Sequence, residues 1–417
     1  MNRFDLITPE GTRDLLFEEC AAVKALEDKL LGMFRARGYS EVTTPGLEFY
    51  DVFDSKSRYF PQESMYKLVD NKSRLMVVRP DTTMPIARMA ATRLREHTLP
   101  IRLCYAQSVY RNRPGMRGRR DEIRQTGIEL IGVGTKRAEL EMLSLALDVL
   151  SSFDADGFSL ELGHIGFFKA LLSAFDSDTV EEIRSLIEYK NFPALNDLLD
   201  EYEDTDDIRA IRQLPRLFGG EDVIDKAMAL VKGNTAAIEA LNDLRETYQR
   251  LTHMNSGSSP ITIDLGLVNR MDYYTGIVIK GYVEGFGEAV LSGGRYDRLL
   301  ADFGLDVPAT GFAVNTDSVS RALSKKHPVQ LRKPDAVVFG TDGMETAAQK
   351  AAHKLISEGM NIEMAVFDTE EENREYAAKA GLPLYIFREH TEQTAAGAGE
   401  MIVDIGCCKV KAEIVNP

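Results

Sequence analysis

Apolar residues fall at Val23, Leu26, Leu30, Met33 and Phe34, the three-and-four spacing of one helix face, so a helix is predicted over about 15–37. Gly38 stops it. A short strand then runs to Pro45, and the continuous apolar run of residues 75–78 predicts a buried strand that ends near Pro80 and leads into a helix over about 84–95. Leu103, Tyr105 and Val109 alternate into a stretch holding Pro114, Gly115 and Gly118, and Ile128, Leu130 and Ile131 lead out of it. That is strand, long loop, strand. A helix over about 136–153 and a strand over 158–163 follow. Residues 167–254 read as helices throughout, separated by acidic runs such as 201–207, and form a helical insertion. Strands return after the polar bend at 255–260. From residue 333 strands and helices alternate in a pattern that predicts a small, separate α/β unit.

The chain has 417 residues, more than one ordinary core, so two domains are expected, 1–325 and 333–417. With 44% hydrophobic and 28% charged residues it reads as soluble and globular. No apolar run is long enough to cross a bilayer and residues 1–5 lack a signal core, so the expectation is a cytoplasmic protein without a membrane partner. Four cysteines, two of them adjacent at Cys407 and Cys408, make neither a disulfide framework nor a zinc pattern, and the six histidines form no metal motif; no metal or cofactor is expected.

The formal net charge of −15 argues against broad nucleic-acid binding. Against that background the loop and its flanks carry Arg111, Arg113, Arg117, Arg119, Arg120 and Arg124. A local positive field of this kind suits a phosphate, a carboxylate or an acidic protein surface, although a salt-bridged, solvated hairpin would look the same. Asp81, Thr82 and Thr83 stand at a strand-to-helix junction, where an acid either caps the helix or offers a carboxylate to an ammonium group. Tyr273 and Tyr274 follow Asp272 near a strand end, where paired phenols are either core or ligands for an imidazole.

The order of these residues resembles the class II aminoacyl-tRNA synthetases, in particular the histidyl branch. The hairpin of residues 104–132 is similar to their second motif, with Tyr110-Arg111 and the run Arg124-Gln125-Thr126-Gly127-Ile128-Glu129 in matching places. The first helix and the strand that ends Thr44-Pro45-Gly46-Leu47-Glu48 resemble the first motif, through which that family dimerises. Asp272-Tyr273-Tyr274-Thr275-Gly276 matches the histidyl signature, and Gly311-Phe312-Ala313 the third motif. The resemblance implies an α+β fold, an antiparallel sheet flanked by helices, with the C-terminal unit like a reduced anticodon-binding domain. That unit holds 15 acids against 8 bases over residues 333–417, a poor grip for an anticodon, so tRNA is not expected as a partner.

The resemblance breaks on one side only. The amino-acid side survives as Asp81 (a glutamate in the family, beside Thr82 in place of a glycine), Thr83, Arg111, Gln125, Glu129, Tyr273 and Tyr274. It implies that Asp81 and Thr83 take the α-ammonium group of histidine. Glu129 and a tyrosine would read the imidazole, with Gln125 and Arg111 near the carboxylate. The nucleotide side is altered, since Asn112-Arg113 replaces a His-Glu pair, Asn269 an arginine and Ser318 the arginine that clamps ATP. A serine cannot supply a bidentate cation to a phosphate. A chain that keeps the amino-acid side and lacks the activating residues resembles the regulatory subunits of ATP phosphoribosyltransferase, which are not enzymes themselves. That likeness implies a hetero-oligomer with a short-form catalytic subunit, a homodimer through the first motif, and histidine as feedback ligand. A divergent histidyl-tRNA synthetase and a stand-alone histidine-binding module are the alternatives.

Overall fold

The first apolar stripe of the chain forms helix α1 (Phe17–Ala36), which buries Val23, Leu26, Leu30 and Phe34. Phe34 meets Phe312 edge-on, ring centroids 5.9 Å apart. The structure, a computed structural model, describes residues 3–54, 62–112, 120–153, 157–255, 260–267, 273–389, 399–405 and 409–416. It divides into two compact units, Met1–Val329 and Gln330–Pro417.

In the first unit α1 is followed by strands β1 (Ser40–Glu41), β2 (Leu47–Phe49), β3 (Lys67–Val69) and β4 (Leu75–Val78), helix α2 (Thr83–Thr92), strands β5 (Ile101–Tyr110) and β6 (Glu122–Ile131), helix α3 (Lys136–Ser151) and strand β7 (Phe158–His164). Helices α4 (Ile165–Leu171), α5 (Ser177–Glu188), α6 (Phe192–Leu199) and α7 (Asp206–Gln213), strand β8 (Phe218–Gly219), and helices α8 (Asp222–Leu230) and α9 (Thr235–Met254) come next. Strands β9 (Ile261–Asp264), β10 (Ile277–Val283), β11 (Leu291–Arg295) and β12 (Ala309–Asn315) and helix α10 (Thr316–Lys326) complete the unit.

Among the described residues the main sheet has the order β1-β5-β6-β12-β11-β10-β7-β9-β8. Its pairs are antiparallel except β1 with β5 and β7 with β9. Strands β2, β4 and β3 form a separate small sheet. The chain is thus α+β, with the expected hairpin β5–β6 lying between the edge strand β1 and β12.

The insertion departs from the expectation of helices throughout. Helices α5, α6, α7 and α9 do start on the side-chain caps Asp176, Asn191, Thr205 and Asn234. After α7, however, residues 214–216 tighten into a 3₁₀ turn containing Pro215, and β8 joins the sheet antiparallel to β9. A two-residue strand carries no periodicity to read.

In the second unit β13 (Ala336–Gly340), α11 (Glu345–Ser357), β14 (Ile362–Met364), α12 (Glu370–Ala380), β15 (Leu384–Phe387), β16 (Gly399–Asp404) and β17 (Lys409–Val415) build a sheet of order β14-β13-β15-β17-β16. Alternation along β13 sends Ala336 and Val338 into one core, with Ala348 and Leu355 of α11, and Val337 into another, with Ala377 of α12. No helix among the described residues is long and apolar enough to cross a membrane.

Candidate amino-acid-binding site

Strand register decides which side chains share a face. Tyr105, Gly127 and Ala313 lie opposite one another across β5, β6 and β12; one step along, Leu103, Glu129 and Gly311 do the same. On β6, Gln125, Gly127 and Glu129 therefore project from one face, and Arg124, Thr126 and Ile128 from the other. Gln125 sits half-buried between Gln107 and Asn315.

Glu129 is the centre of this face. It is 2% exposed, one carboxylate oxygen accepts the Thr83 hydroxyl at 2.7 Å, and the other accepts the hydroxyl of Tyr296. Burial pushes its carboxyl up to about 8, against the pull of the two hydroxyls, and the neighbouring Asp81 pushes the same way. Close approach is possible because two wall positions are glycine. A methyl group at Gly311 would overlap the Glu129 carboxylate, and one at Gly127 would sit 2.7 Å from the Tyr105 hydroxyl.

Asp81, also buried, makes the helix cap foreseen for it. One oxygen accepts the Met84 amide at 3.0 Å and so caps α2, whose N-cap residue Thr82 makes no side-chain cap bond. The other oxygen lies 3.9 Å from the Arg111 guanidinium. Burial raises the Asp81 carboxyl, with Arg111 opposing. Arg111 is held in turn by the Pro80 carbonyl, 2.8 Å from its Nε.

Tyr273 and Tyr274 are buried, as is Tyr296. The three rings pack together, with centroid separations of 4.7 Å (Tyr273 to Tyr274), 5.6 Å (Tyr273 to Tyr296) and 6.5 Å (Tyr274 to Tyr296). Burial pushes all three phenols up, with Glu129 adding to it in each and Asp81 adding to it at Tyr273 and Tyr274. The result is a buried wall of two carboxylates, three phenols and a threonine, with one guanidinium at its edge. Such a wall can hold a cationic or hydrogen-bond-donating group, an ammonium or an imidazole.

The structure brings Asp81, Thr83, Arg111, Glu129, Tyr273 and Tyr274 to one place. Thr83 and Glu129, given to opposite ends of the ligand by the resemblance, are directly bonded. Tyr296 and Tyr105 were not singled out, because an aromatic in a strand reads as core until register is known. Asp272, Asn269 and Arg270 lie outside the described residues, as do Arg113, Arg117 and Arg119. Of the described arginines of the hairpin, Arg124 turns to the opposite face, where it pairs with Glu27 of α1 at 2.7 and 3.0 Å, and Arg120 lies 3.7 Å from Asp317. The positive field of the hairpin is accordingly weaker than its arginine content suggests.

Beside this face Ser318 opens α10, its amide bonded to Asn315 and its hydroxyl in place of the family's ATP-clamping arginine. A cavity of about 250 Å³ lies there, lined by the carboxylates of Glu122, Glu288 and Asp317 and the guanidiniums of Arg120 and Arg321. Among the described residues lining it, carboxylates outnumber guanidiniums by three to two.

A family model described as Histidyl-tRNA synthetase matches residues 11–319. An ATP phosphoribosyltransferase regulatory subunit of Clostridium botulinum is 38% identical over 392 residues, 93% of this chain and 92% of that one. One of Clostridium acetobutylicum is 40% identical over 374 residues, 88% and 91% of the two chains. Among solved structures, that of an ATP phosphoribosyltransferase regulatory subunit/histidyl-tRNA synthetase from Bacillus halodurans C is similar at a TM-score of 0.78 with 28% identity, covering 94% of this chain and all of that one. A histidyl-tRNA synthetase from Nostoc sp. PCC 7120 shares the fold, with a TM-score of 0.71 at 18% identity over 99% and 97% of the two chains.

Proposed function

The chain belongs to the family of ATP phosphoribosyltransferase regulatory subunits, built on the histidyl-tRNA synthetase fold, and from that membership we propose that it serves histidine biosynthesis as the non-catalytic partner of a short-form catalytic subunit and carries feedback inhibition by binding L-histidine on the face around Glu129. The observation that supports this reading is the division of the site. The amino-acid side is assembled, down to a buried Glu129 held by Thr83 and Tyr296, while the nucleotide side presents a serine and a surplus of carboxylates.

In this reading Asp81 takes the α-ammonium, Glu129, held by the Thr83 hydroxyl, reads the imidazole together with a tyrosine, and Gln125 and Arg111 lie near the carboxylate. Feedback then needs only that histidine prefer the inactive arrangement of the complex. A preference of ~1–3 kcal/mol shifts the affinity of the partner for its substrate by roughly 5–150-fold, and the substrate weakens histidine binding by the same factor. The arginine hairpin, in this reading no longer needed for ATP, docks an acidic surface of the partner or a bound anion.

The small sheet supports a homodimer through the first motif. Leu47 and Val78, Phe49 and Met76, and Leu68 and Met76 are register partners, so five apolar side chains share one face, and Leu47 and Phe49 remain 46% and 40% exposed.

Calorimetry on the full chain tests the histidine reading. Wild type is expected to bind histidine, and Glu129→Ala to bind at least ten-fold more weakly. Equal binding by both, or binding only by the assembled complex, would move the inhibitory site elsewhere.

A further inference from the structure

Two routes of hydrogen bonds and ion pairs leave the tyrosine wall and end on the same inserted helix. The first is short. Lys169 Nζ of α4 donates to the Tyr274 carbonyl at 3.0 Å, and the amide of Ile165, the first residue of α4, donates to the Gly276 carbonyl at 3.0 Å. At its other end α4 is tied to α9, since Asn234, the cap of α9, donates to the Ala170 carbonyl at 3.1 Å.

The second route starts on the far side of the same segment. The Thr275 amide donates to the Arg295 carbonyl at 2.8 Å, and the Thr275 hydroxyl accepts the Asp297 amide at 3.0 Å; these bonds flank Tyr296, which reaches Glu129. The Arg295 guanidinium lies 3.8 Å from Glu139, itself 2% exposed. Glu139 accepts Lys136 at 2.9 Å and Thr247 of α9 at 2.8 Å. Lys136 also donates to Asp243 of α9 at 2.7 Å, and Asp243 lies 3.4 Å from Nε2 of His164. The circuit closes there, because Nδ1 of His164 accepts the Gly166 amide at 3.1 Å and thereby caps α4.

A partly buried polar network of this kind is costly to half-break, since each lost bond leaves a charged or polar partner unsatisfied, so its members shift together rather than one at a time. Its two ends are fixed to the backbone of the tyrosine segment, whereas its middle lies on α3, α4 and α9. We infer that Lys169 and the Asp243–His164 pair are positioning residues that transmit occupancy of the tyrosine-lined face to helices α4 and α9, making the helical insertion the element that reports bound ligand. This rests on the reading of that face as the histidine site.

Amide hydrogen exchange of the full chain with and without saturating histidine, beside calorimetry on the same samples, tests it. In wild type, histidine should slow exchange several-fold in residues 165–171 and 235–254 as well as in β5 and β6. In Asp243→Asn, remote from the ligand, the heat of binding and the slowing in β5 and β6 should remain while the slowing in the two helices is lost. Lys169→Met should lose it too, and Lys169→Arg, which keeps a donor, should restore it. A brace with only a structural role would change exchange equally with and without ligand. Heat of binding without slowing of the helices in wild type, or slowing that survives in Asp243→Asn and Lys169→Met, overturns the inference alone. No heat in wild type overturns the histidine reading and the inference with it.

Discussion

Tyr296 and Glu129, 167 residues apart in the chain, meet in a buried hydrogen bond that closes one side of the candidate amino-acid-binding face. The opposite oxygen of the same carboxylate takes the Thr83 hydroxyl, so both acceptors are used and the group is still pushed up to about 8 by burial. Between the ordinary carboxylate value of 4.5 and about 8 the folded chain holds a proton that the unfolded chain has released. Stability contributed by this group is therefore full below 4.5 and is lost as pH rises through about 8. Urea unfolding from pH 5 to pH 8 should show wild type losing stability with rising pH, and Glu129→Gln should flatten part of that slope. A residual slope is expected from Asp81, raised for the same reason. Identical slopes in the two proteins would show that Glu129 titrates normally.

Gly311→Ala offers a test of how tightly that carboxylate is seated. The added methyl would overlap Glu129 Oε2, which Tyr296 holds in place, and the Ile128 carbonyl, which is backbone. A loss of about 1–3 kcal/mol is expected from overpacking, together with loss of histidine binding. Unfolding and calorimetry on the one variant measure both.

How much of this was legible beforehand follows from the range of each interaction. The helix stripe of α1, the hairpin and the strand-helix alternation of the second unit are local patterns, and they appear in the fold. Asp81, Thr83, Glu129, Tyr273 and Tyr274 were legible through motifs. Tyr105 and Tyr296 were not, because only pairing with Gly127 and contact with Glu129 separates a wall aromatic from a core one. Arg124 was counted with the loop cations although its partner Glu27 lies 97 residues away on the other face.

The purified chain should make neither histidyl-adenylate nor histidyl-tRNA. Ser318 stands where the resembling synthetases carry the arginine that clamps ATP, the cavity beside it is lined by three carboxylates against two guanidiniums, and losing one cationic stabiliser costs two to three orders of magnitude or more. Restoring a single arginine in Ser318→Arg should not recover exchange, because Glu122, Glu288 and Asp317 remain. Histidine-dependent pyrophosphate exchange at a synthetase-like rate in wild type would sink this expectation.

Docking through the arginine hairpin has a salt signature. Arg120 and Arg124 are engaged by Asp317 and Glu27, so substituting them would also break those pairs, and the test is made at Arg117 and Arg119, which lie outside the described residues. Arg117→Glu with Arg119→Glu should weaken assembly with the catalytic subunit, and by a larger factor at low salt than at high, where screening already reduces such contacts. Assembly unchanged across salt concentrations would leave the hairpin a solvated loop.

The apolar face of the small sheet makes the last prediction. Its five side chains come from β2, β3 and β4, and the reverse face is already used: Val77 is fully buried there, and Glu48 pairs with Arg88 of α2 at 2.7 Å. The sheet therefore has one face packed inward and one apolar face on which the Arg74 guanidinium stacks over Phe49 at 4.7 Å while Leu47 and Phe49 both stay partly exposed. A charge at its centre must be desolvated on association, at a cost far above that of an exposed charge on a monomer. Leu47→Asp with Phe49→Asp should therefore shift the chain from dimer to monomer in sedimentation at micromolar concentration while leaving each monomer folded. If wild type sediments as a monomer, or the double variant remains a dimer, this face is not the contact between copies.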